Sequence, residues 1–572
     1  MEHGFPTPGP QSPNGQQVMN KAFFLDNATW KAAREEGSYD YVVIGTGPCS
    51  YAFADRVLSN NASARILMLE RGPFFLPEHF QNLPLPMKDT LGLGGLSETF
   101  PWTLSKRTAR PPPGQSITWM HGQVPYFGGR STLWSSWCPR PTREEMSGWP
   151  EEVVDTAFEY FESAEKLLEV KSADDIELPG RTWQRGEPPV YGKMQHVFTK
   201  MLQENLCSDV PSATRSIPAP LAVGGGDLAR VIDFDKYSNV GPLLQLVENQ
   251  KAKAKLDDAA ATLDIATECC VERIVEQDGS AVGLQTSRGV VSLGDAKLVL
   301  GMGALPPATL LQSSFGDKLP RVGSRFTAHF ISAIVGRVPR SAFNFDGGME
   351  ELEIGAHYVA GETPDGLQYH IQLSSLSDTD PAANAALATR YAPDVVATAS
   401  PAQLADSSDY VVFVAATLGE IAHDNPDNWF RANTSDKDPT TASLLQIVES
   451  DTDRRVWDTM DEGTYQVLEK VLSPGGAGEV EYWHGAPDEG TWKSERPPQK
   501  QIRVGGLVHE GSTLYIGKED DAPVDLDYKP RGVDNVYITG AGLWPRSGSW
   551  NPTMTMVGLA QHLADKLEGA NE

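Results

Sequence analysis

The chain has no apolar run long enough to span a bilayer. Its longest charge-free candidates, such as Tyr410 to Leu418, have strand length, against the ~18 residues a membrane helix needs. Cysteine is scarce: Cys49, Cys138, Cys207, Cys269 and Cys270 make an odd count of five with no C-x-x-C pair. That excludes a disulfide framework or a zinc ribbon and suits an intracellular chain, with the adjacent Cys269-Cys270 expected in a buried strand. Positive charge is also short. Lys and Arg number 48 against 76 Asp and Glu, and 48 − 76 = −28. A surface that negative repels phosphate backbones and anionic lipid, so nucleic acid and membrane are not expected partners. The 11 histidines include no i, i+4 pair and no H-E-x-x-H, so no metal centre is expected. The opening residues lack the basic and apolar regions of a signal peptide, and the last four match no receptor-read address. A cytoplasmic location is the expectation. No repeat of fixed period occurs.

What is present is an ordinary globular composition, 40% hydrophobic and 22% charged, over 572 residues. That length exceeds one core of roughly 100–200 residues, so two or more folding units are expected. Residues 1–38 have the composition of a flexible tail with a short helix around Asn27 to Glu36. Order should begin at Tyr39. The apolar run Tyr41-Val42-Val43-Ile44 stops at a glycine cluster, a helical stretch follows from Ser50 to Leu58, and Arg65 to Leu69 forms a second strand ending at Glu70. This strand–turn–helix–strand unit seeds a parallel sheet. Two later segments repeat the strand-then-glycine pattern, Lys297 to Leu300 and Asn535 to Ile538. One sheet built from early, middle and terminal segments is therefore expected, with a second domain inserted. Residues 72–150 are irregular and rich in Pro, Gly and Trp, the character of a ligand-wrapping stretch. Asp378 to Asp409 is expected as a surface excursion.

The turn Gly45-Thr46-Gly47-Pro48-Cys49-Ser50 has the chemistry of a dinucleotide site. Gly45 permits the tight turn, Gly47 lets backbone approach a pyrophosphate, and the helix N-terminus offers amides and positive dipole. Ser50 is small enough for close helix–strand packing. Glu70, 70 − 45 = 25 residues on, can accept both ribose hydroxyls, and its charge excludes a 2′-phosphate. The unit does not choose between NAD and FAD.

The chain's last part supplies Gly505 to Thr513, Gly540-Ala541-Gly542-Leu543-Trp544-Pro545 and Ser549 to Thr555. With these the sequence resembles the glucose-methanol-choline (GMC) flavoprotein oxidoreductases. Gly128-Gly129-Arg130-Ser131-Thr132-Leu133-Trp134-Ser135 is similar to the flavin-attachment loop of the pyranose 2-oxidase branch. The resemblance implies an α/β fold: a Rossmann-like FAD-binding domain of the GMC/p-hydroxybenzoate-hydroxylase type, with an inserted α+β substrate domain containing an antiparallel sheet. The first would take residues 39–150, 221–330 and 500–572, the second 151–220 and 331–499. It implies FAD as cofactor, held by Gly45, Gly47, Pro48, Cys49, Ser50, Glu70, Arg71, Gly128, Gly129, Ser131, Thr132, Leu133, Ser135, Val271, Gly303, Gly540, Ala541, Gly542, Asn551, Pro552 and Thr553. Leu133 stands where that branch carries a flavin-linked histidine, and leucine has no nucleophilic atom, so the FAD is expected to be non-covalent. Ser135 falls where the branch places a hydroxyl beside flavin N5 and O4.

The resemblance further implies His509 as the base that takes the hydroxyl proton of an alcohol, and Asn551 as its partner on the substrate oxygen. An imidazole with an ordinary pKa near 6.5 suits that role. Pro552 at a helix start needs no amide hydrogen, and the helix dipole there would stabilise negative charge on reduced flavin. His484, His370 and Trp137 are expected substrate contacts, and His329 a structural residue at a crossing between the domains. The implied partners are a small-molecule alcohol or sugar and oxygen or another electron acceptor, with oligomeric state left open. Two alternatives stand beside an oxidoreductase: a flavin-bearing lyase or isomerase on the same fold, and a non-catalytic dinucleotide-binding protein.

Overall fold

A computed structural model describes residues 15–83, 124–176, 190–224, 235–345, 352–393, 399–433, 437–440 and 442–569. The expected Pro111-Pro112-Pro113 cluster, Trp102 and Trp119 lie outside them. At the centre is a five-stranded parallel sheet in the order Val536–Ile538, Lys297–Leu300, Tyr41–Ile44, Ile66–Leu69, Leu263–Ala266. Its strands are near-continuous apolar runs because both faces are covered, and every residue of Tyr41–Ile44 and Ile66–Leu69 is buried. Early, middle and terminal segments do combine in one sheet. Asp278 and Gly279 turn the hairpin between Val271–Gln277 and Ser280–Thr286, both at positive φ.

A larger antiparallel sheet runs in the order Glu489–Lys493, Glu481–Ala486, Thr327–Pro339, Tyr410–Glu420, Gln368–Ser377, Glu353–Glu362, Ala213–Pro218. Alternation along Thr327–Pro339 sorts its two faces. Phe330 stacks on Trp457 at 4.7 Å, and Ser332 Oγ donates to Asp461 Oδ1 at 2.6 Å. Those contacts lie on the helix Asp451–Gln466, which starts at a Ser450–Asp453 capping box. Ile331, Ala333 and Val335 point the other way, into a cavity. The strand Arg503–Gly511 also pairs with Thr327–Pro339.

Several expectations need correction. The helix expected around Asn27 to Glu36 is present as Asn27–Glu36, capped by Asp26, but a second helix, Gly15–Ala22, precedes it and the segment is not a loose tail. Phe24 packs on Phe127 at 5.1 Å, and the buried Trp30 donates to the Arg288 carbonyl at 3.0 Å. A few large apolar side chains thus dock a polar segment. Cys269 and Cys270 lie between strands rather than in one, Cys269 buried and Cys270 half-buried. The 378–409 stretch carries the helix Pro381–Tyr391, and its Ser400, Pro401 and Gln403 line the cavity. The expected domain limits at 150/151 and 499/500 are not breaks in packing. Glu151–Leu168 packs on the C-terminal helix Thr553–Leu567, and Arg503–Gly511 joins the antiparallel sheet. No helix among the described residues is long and apolar enough to cross a membrane.

Asp565 ties three helices together. It accepts from Arg56 Nε and Nη2 at 2.7 Å each, from Asn60 Nδ2 at 2.6 Å and from Tyr160 Oη at 2.7 Å. Burial alone would raise its pKa, but the hydrogen bonds from Arg56, Tyr160 and Asn60 outweigh it and hold the carboxyl below the usual range. Asp565→Ala should cost on the order of 3 kcal/mol and lower the thermal unfolding midpoint by several degrees. Because the folded pKa is depressed, this contribution is complete above the unfolded value near 3.9 and is lost as pH falls through the folded one. The midpoint difference between parent and variant should therefore shrink in acid.

Candidate active site

The strand Tyr41–Ile44 runs straight into Gly45, whose φ of +98° favours glycine and whose Cβ would lie 2.8 Å from the Gly301 carbonyl oxygen. Gly47 is a different case. Its φ is an ordinary −73° at the N-cap of the helix Pro48–Asn60, and a Cβ there would meet nothing within 4 Å. It is small because the space beside it is open cavity. Pro48 occupies the first helical turn, where a missing amide is cheapest. Ser50 Oγ donates to the Gly301 carbonyl at 3.2 Å, and a Cβ on Gly301 would fall 2.1 Å from that oxygen. Ser50 therefore packs helix on strand and does not line the cavity, which corrects its assignment as a cofactor contact.

Glu70 stands at the end of the second strand, buried and facing the turn. Its Oε2 accepts from Thr46 N at 3.1 Å and Thr46 Oγ1 at 2.6 Å, and its Oε1 from Gly72 N at 2.9 Å. Burial raises its pKa, and these hydrogen bonds oppose the rise. Three of the carboxylate's roughly four acceptor sites are thus taken within the protein, so it is not free to accept both hydroxyls of a ribose. Arg71, also on the cavity wall, is ion-paired with Asp438.

The 128–135 loop closes over the glycine turn. Gly128 N donates to Thr46 Oγ1 at 3.1 Å, and a Cβ on Gly129 would lie 3.4 Å from Gly47 Cα. Gly129–Thr132 is a 3₁₀ turn. Gly129, Ser131, Leu133 and Ser135 line the cavity. Gly128 and Thr132 do not: a Cβ on Gly128 would strike Val240 at 2.4 Å, and Thr132 Oγ1 donates back to Gly129 O at 2.8 Å. Arg130 is held to the nearly buried Glu510 by Nη1 at 2.9 Å, which couples this loop to the neighbour of His509.

All of this borders one cavity of about 980 Å³. From the glycine turn its wall continues through Cys49, Val271, Gly303, Gly540 and Ala541 to Asn551, Pro552, Thr553 and His509. Burial pushes the Cys49 thiol up to about 12, so it stays neutral. Gly542 faces Thr513 and Ala304 instead of the cavity, a second correction. Thr553–Leu567 begins at Pro552, and its N-terminus borders the cavity.

His509 sits not in a turn between short strands but within Arg503–Gly511, at φ +60°. Thr327 faces Gly511 while His329 faces Val508, so the His509 strand carries one extra residue over that interval. The bulge turns the imidazole so that Nδ1 lies 2.8 Å from His329 Nδ1 and Nε2 lies 3.5 Å from Asn551 Nδ2. Asn551 Oδ1 accepts from Gln372 Nε2 at 3.1 Å, and the same nitrogen lies 3.3 Å from His370 Nε2. Burial pulls His329 down to about 4 and His370 well below the ordinary imidazole value. Trp137 is fully buried on the cavity wall. His370 and His484 are not on it: His370 is stacked behind it on Tyr358 at 4.9 Å, and His484 Nε2 is 2.8 Å from the Glu495 carbonyl. Both are corrections. The residues that sequence reasoning missed are Gln372 and the contact made by His329. Strand pairing brings them in, and no local motif marks them. Among the described residues no group of His, Cys, Asp or Glu is arranged to hold a metal.

Residues 425–560, which contain His509, Gly540 to Gly542 and Asn551, match the family model described as GMC oxidoreductase. No curated protein sequence matches the chain. Among solved structures, the chain is similar to pyridoxine 4-oxidase from Mesorbium loti. The TM-score is 0.54 at 14% identity, with 92% of this chain and 99% of that chain covered. At that identity the likeness speaks for the fold, an α/β architecture with one parallel and several antiparallel sheets. The family match thus covers residues 425–560, and the likeness of fold extends over nearly the whole chain.

Proposed function

We propose that the chain is an FAD-dependent oxidoreductase acting on the CH–OH group of a sugar, glycoside or other small-molecule alcohol, with His509 as the base. The observation that carries this is the continuity of one cavity from the Gly45–Gly47 turn to His509 and Asn551. Its residues suit a flavin dinucleotide. The space a Gly47 side chain would fill is open, the helix Pro48–Asn60 directs its N-terminus at the turn, and Gly129, Val271, Gly303 and Gly540 add backbone around the same wall. When bound, FAD supplies the acceptor for the hydride leaving the alcohol carbon. Leu133 on the wall presents only aliphatic carbon, which supports non-covalent binding within a pyranose 2-oxidase-like branch.

The chain's own residues handle the proton. His509 Nε2, beside Asn551 Nδ2, accepts the substrate hydroxyl proton, and the amide donates to the oxygen as negative charge develops. The N-terminus of Thr553–Leu567 adds positive potential at the same end of the cavity. Oxygen or another small acceptor then completes the turnover. Ile331, Ala333 and Val335, with Val414, Ala416 and Leu418 on the neighbouring strand, pave the sheet face of the cavity with apolar side chains. That floor favours an alcohol with an apolar or aromatic body over a bare polyol.

Three outcomes check the reading. The purified protein should be yellow, and acid or heat precipitation should leave all the flavin in the supernatant; a washed pellet that stays yellow rules out non-covalent binding. Gly47→Val should fold, because φ there is ordinary, yet purify with little flavin. Full flavin content in that variant would mean the dinucleotide lies elsewhere. His509→Ala should keep its flavin while substrate reduces it ~10²-fold more slowly or worse. Asn551→Ala should slow the same step by ~10–10³-fold, and the double variant by less than the product of the two. Strictly multiplicative losses would refute action on one shared oxygen.

A further inference from the structure

We propose that His329 is a positioning residue: its Nδ1 accepts a hydrogen bond from His509 Nδ1–H and so fixes the tautomer that leaves the His509 Nε2 lone pair facing the cavity. The proposal rests on the reading of His509 as base and extends it to a residue outside the cavity wall.

The two Nδ1 atoms are 2.8 Å apart, with the rings nearly perpendicular at 84°. At that distance one nitrogen must donate and the other accept, and the surroundings decide which. His329 is fully buried in Thr327–Pro339, and burial favours its neutral form, which offers one bare ring nitrogen. Its Nε2 is buried with no hydrogen-bond partner among the described residues, beside the backbone of Ser547 and Gly548.

At the opposite ring edge the polarity is set independently. Gln372 Nε2 lies within reach of both Asn551 Oδ1, at 3.1 Å, and His370 Nε2, at 3.3 Å. An amide NH₂ has two hydrogens and satisfies both acceptors at once. His370, fully buried, is neutral and accepts at Nε2. Asn551 is thereby oriented with its oxygen spent on Gln372 and its NH₂ turned toward His509 Nε2. A donor facing Nε2 requires a lone pair there. The single remaining proton of a neutral His509 then sits on Nδ1, and His329 must be its acceptor. Both ends of the row assign the same tautomer to His509, and a buried network gains most when every member agrees.

The direct test is ¹⁵N NMR of histidine-labelled protein at about pH 9, above the ordinary imidazole range, with His509 assigned by loss of its signals in His509→Ala. The expected result is a His509 whose Nδ1 is pyrrole-like and Nε2 pyridine-like, opposite to the form usual for exposed histidines. In His329→Phe, which keeps a ring but removes the acceptor, the Nδ1-protonated share should fall, since only the 3.5 Å contact of Asn551 then favours it, and substrate should reduce the flavin about 10-fold more slowly, the worth of one hydrogen bond. His329→Asn, whose Oδ1 can stand in for the lost Nδ1, should restore both. A His509 protonated on Nε2 in the parent protein overturns the proposal. So does an unchanged tautomer in a folded His329→Phe. Neither outcome touches the base assignment, which fails only if His509→Ala leaves the reductive rate intact.

Discussion

The site depends on one break in strand register. Between Thr327 and His329 the partner strand spends three steps, from Gly511 to Val508, where two would keep the ladder regular. The extra residue places His509 at φ +60°, a conformation a non-glycine residue holds only when its surroundings impose it. What imposes it is the junction of two sheets. Arg503–Gly511 belongs to the antiparallel sheet, and its continuation bonds to the loop after the last parallel strand, with Ser512 N donating to Ala541 O at 3.2 Å and Leu514 N to Gly542 O at 2.9 Å. A regular strand would keep the imidazole in the sheet's own alternation. The bulge instead directs it between His329 and Asn551.

The other end of the cavity shows two physically distinct uses of glycine within three residues. Gly45 answers a backbone conformation and the near contact of Gly301. Gly47 has neither demand and leaves room. The neighbouring Ser50 and Gly301 are matched as hydroxyl and missing side chain, which fixes the helix–strand distance and thus the aim of the helix N-terminus. Glu70 belongs to the same local construction. Its carboxylate braces Thr46, which in turn receives the Gly128 amide, so strand end, turn and covering loop form one hydrogen-bonded unit.

How far this was legible in the sequence follows from which forces are local. Most of the parallel sheet was, because Tyr41–Ile44, Lys297–Leu300 and Val536–Ile538 each run into a nearby glycine cluster, whereas Leu263–Ala266, followed by Thr267-Glu268-Cys269-Cys270, carries no such signal. Leu133, Ser135, His509 and Asn551 were named from segment resemblance, and all four border the cavity. Ser50 and Gly542 sit in the right motifs, but the Ser50 hydroxyl bonds to Gly301 and the Gly542 backbone packs against Thr513 and Ala304. His370 and His484 were singled out for aromatic neighbours, yet Tyr358 covers one and the Glu495 carbonyl engages the other. His329 was singled out only as a structural residue, without its contact to His509, and Gln372 carried no usable signal. They reach His509 and Asn551 across 180 and 179 residues of chain through strand pairing, which a linear pattern does not encode. The docking of residues 15–36 was hidden for a related reason: Phe24 packs on Phe127, 127 − 24 = 103 residues on, and Trp30 bonds to Arg288, 258 residues on.

The central claim is that this cavity joins proton removal by His509 to oxidation of an alcohol. Anaerobic mixing of the flavin-loaded protein with a panel of sugars, glycosides and aryl alcohols, followed in the flavin absorbance band, tests it most directly. The account predicts that at least one CH–OH donor bleaches the band and yields an equivalent of carbonyl product. Conversion of a substrate with the flavin band unchanged would contradict it, and would make the chain an acid–base lyase or isomerase built on an oxidoreductase fold.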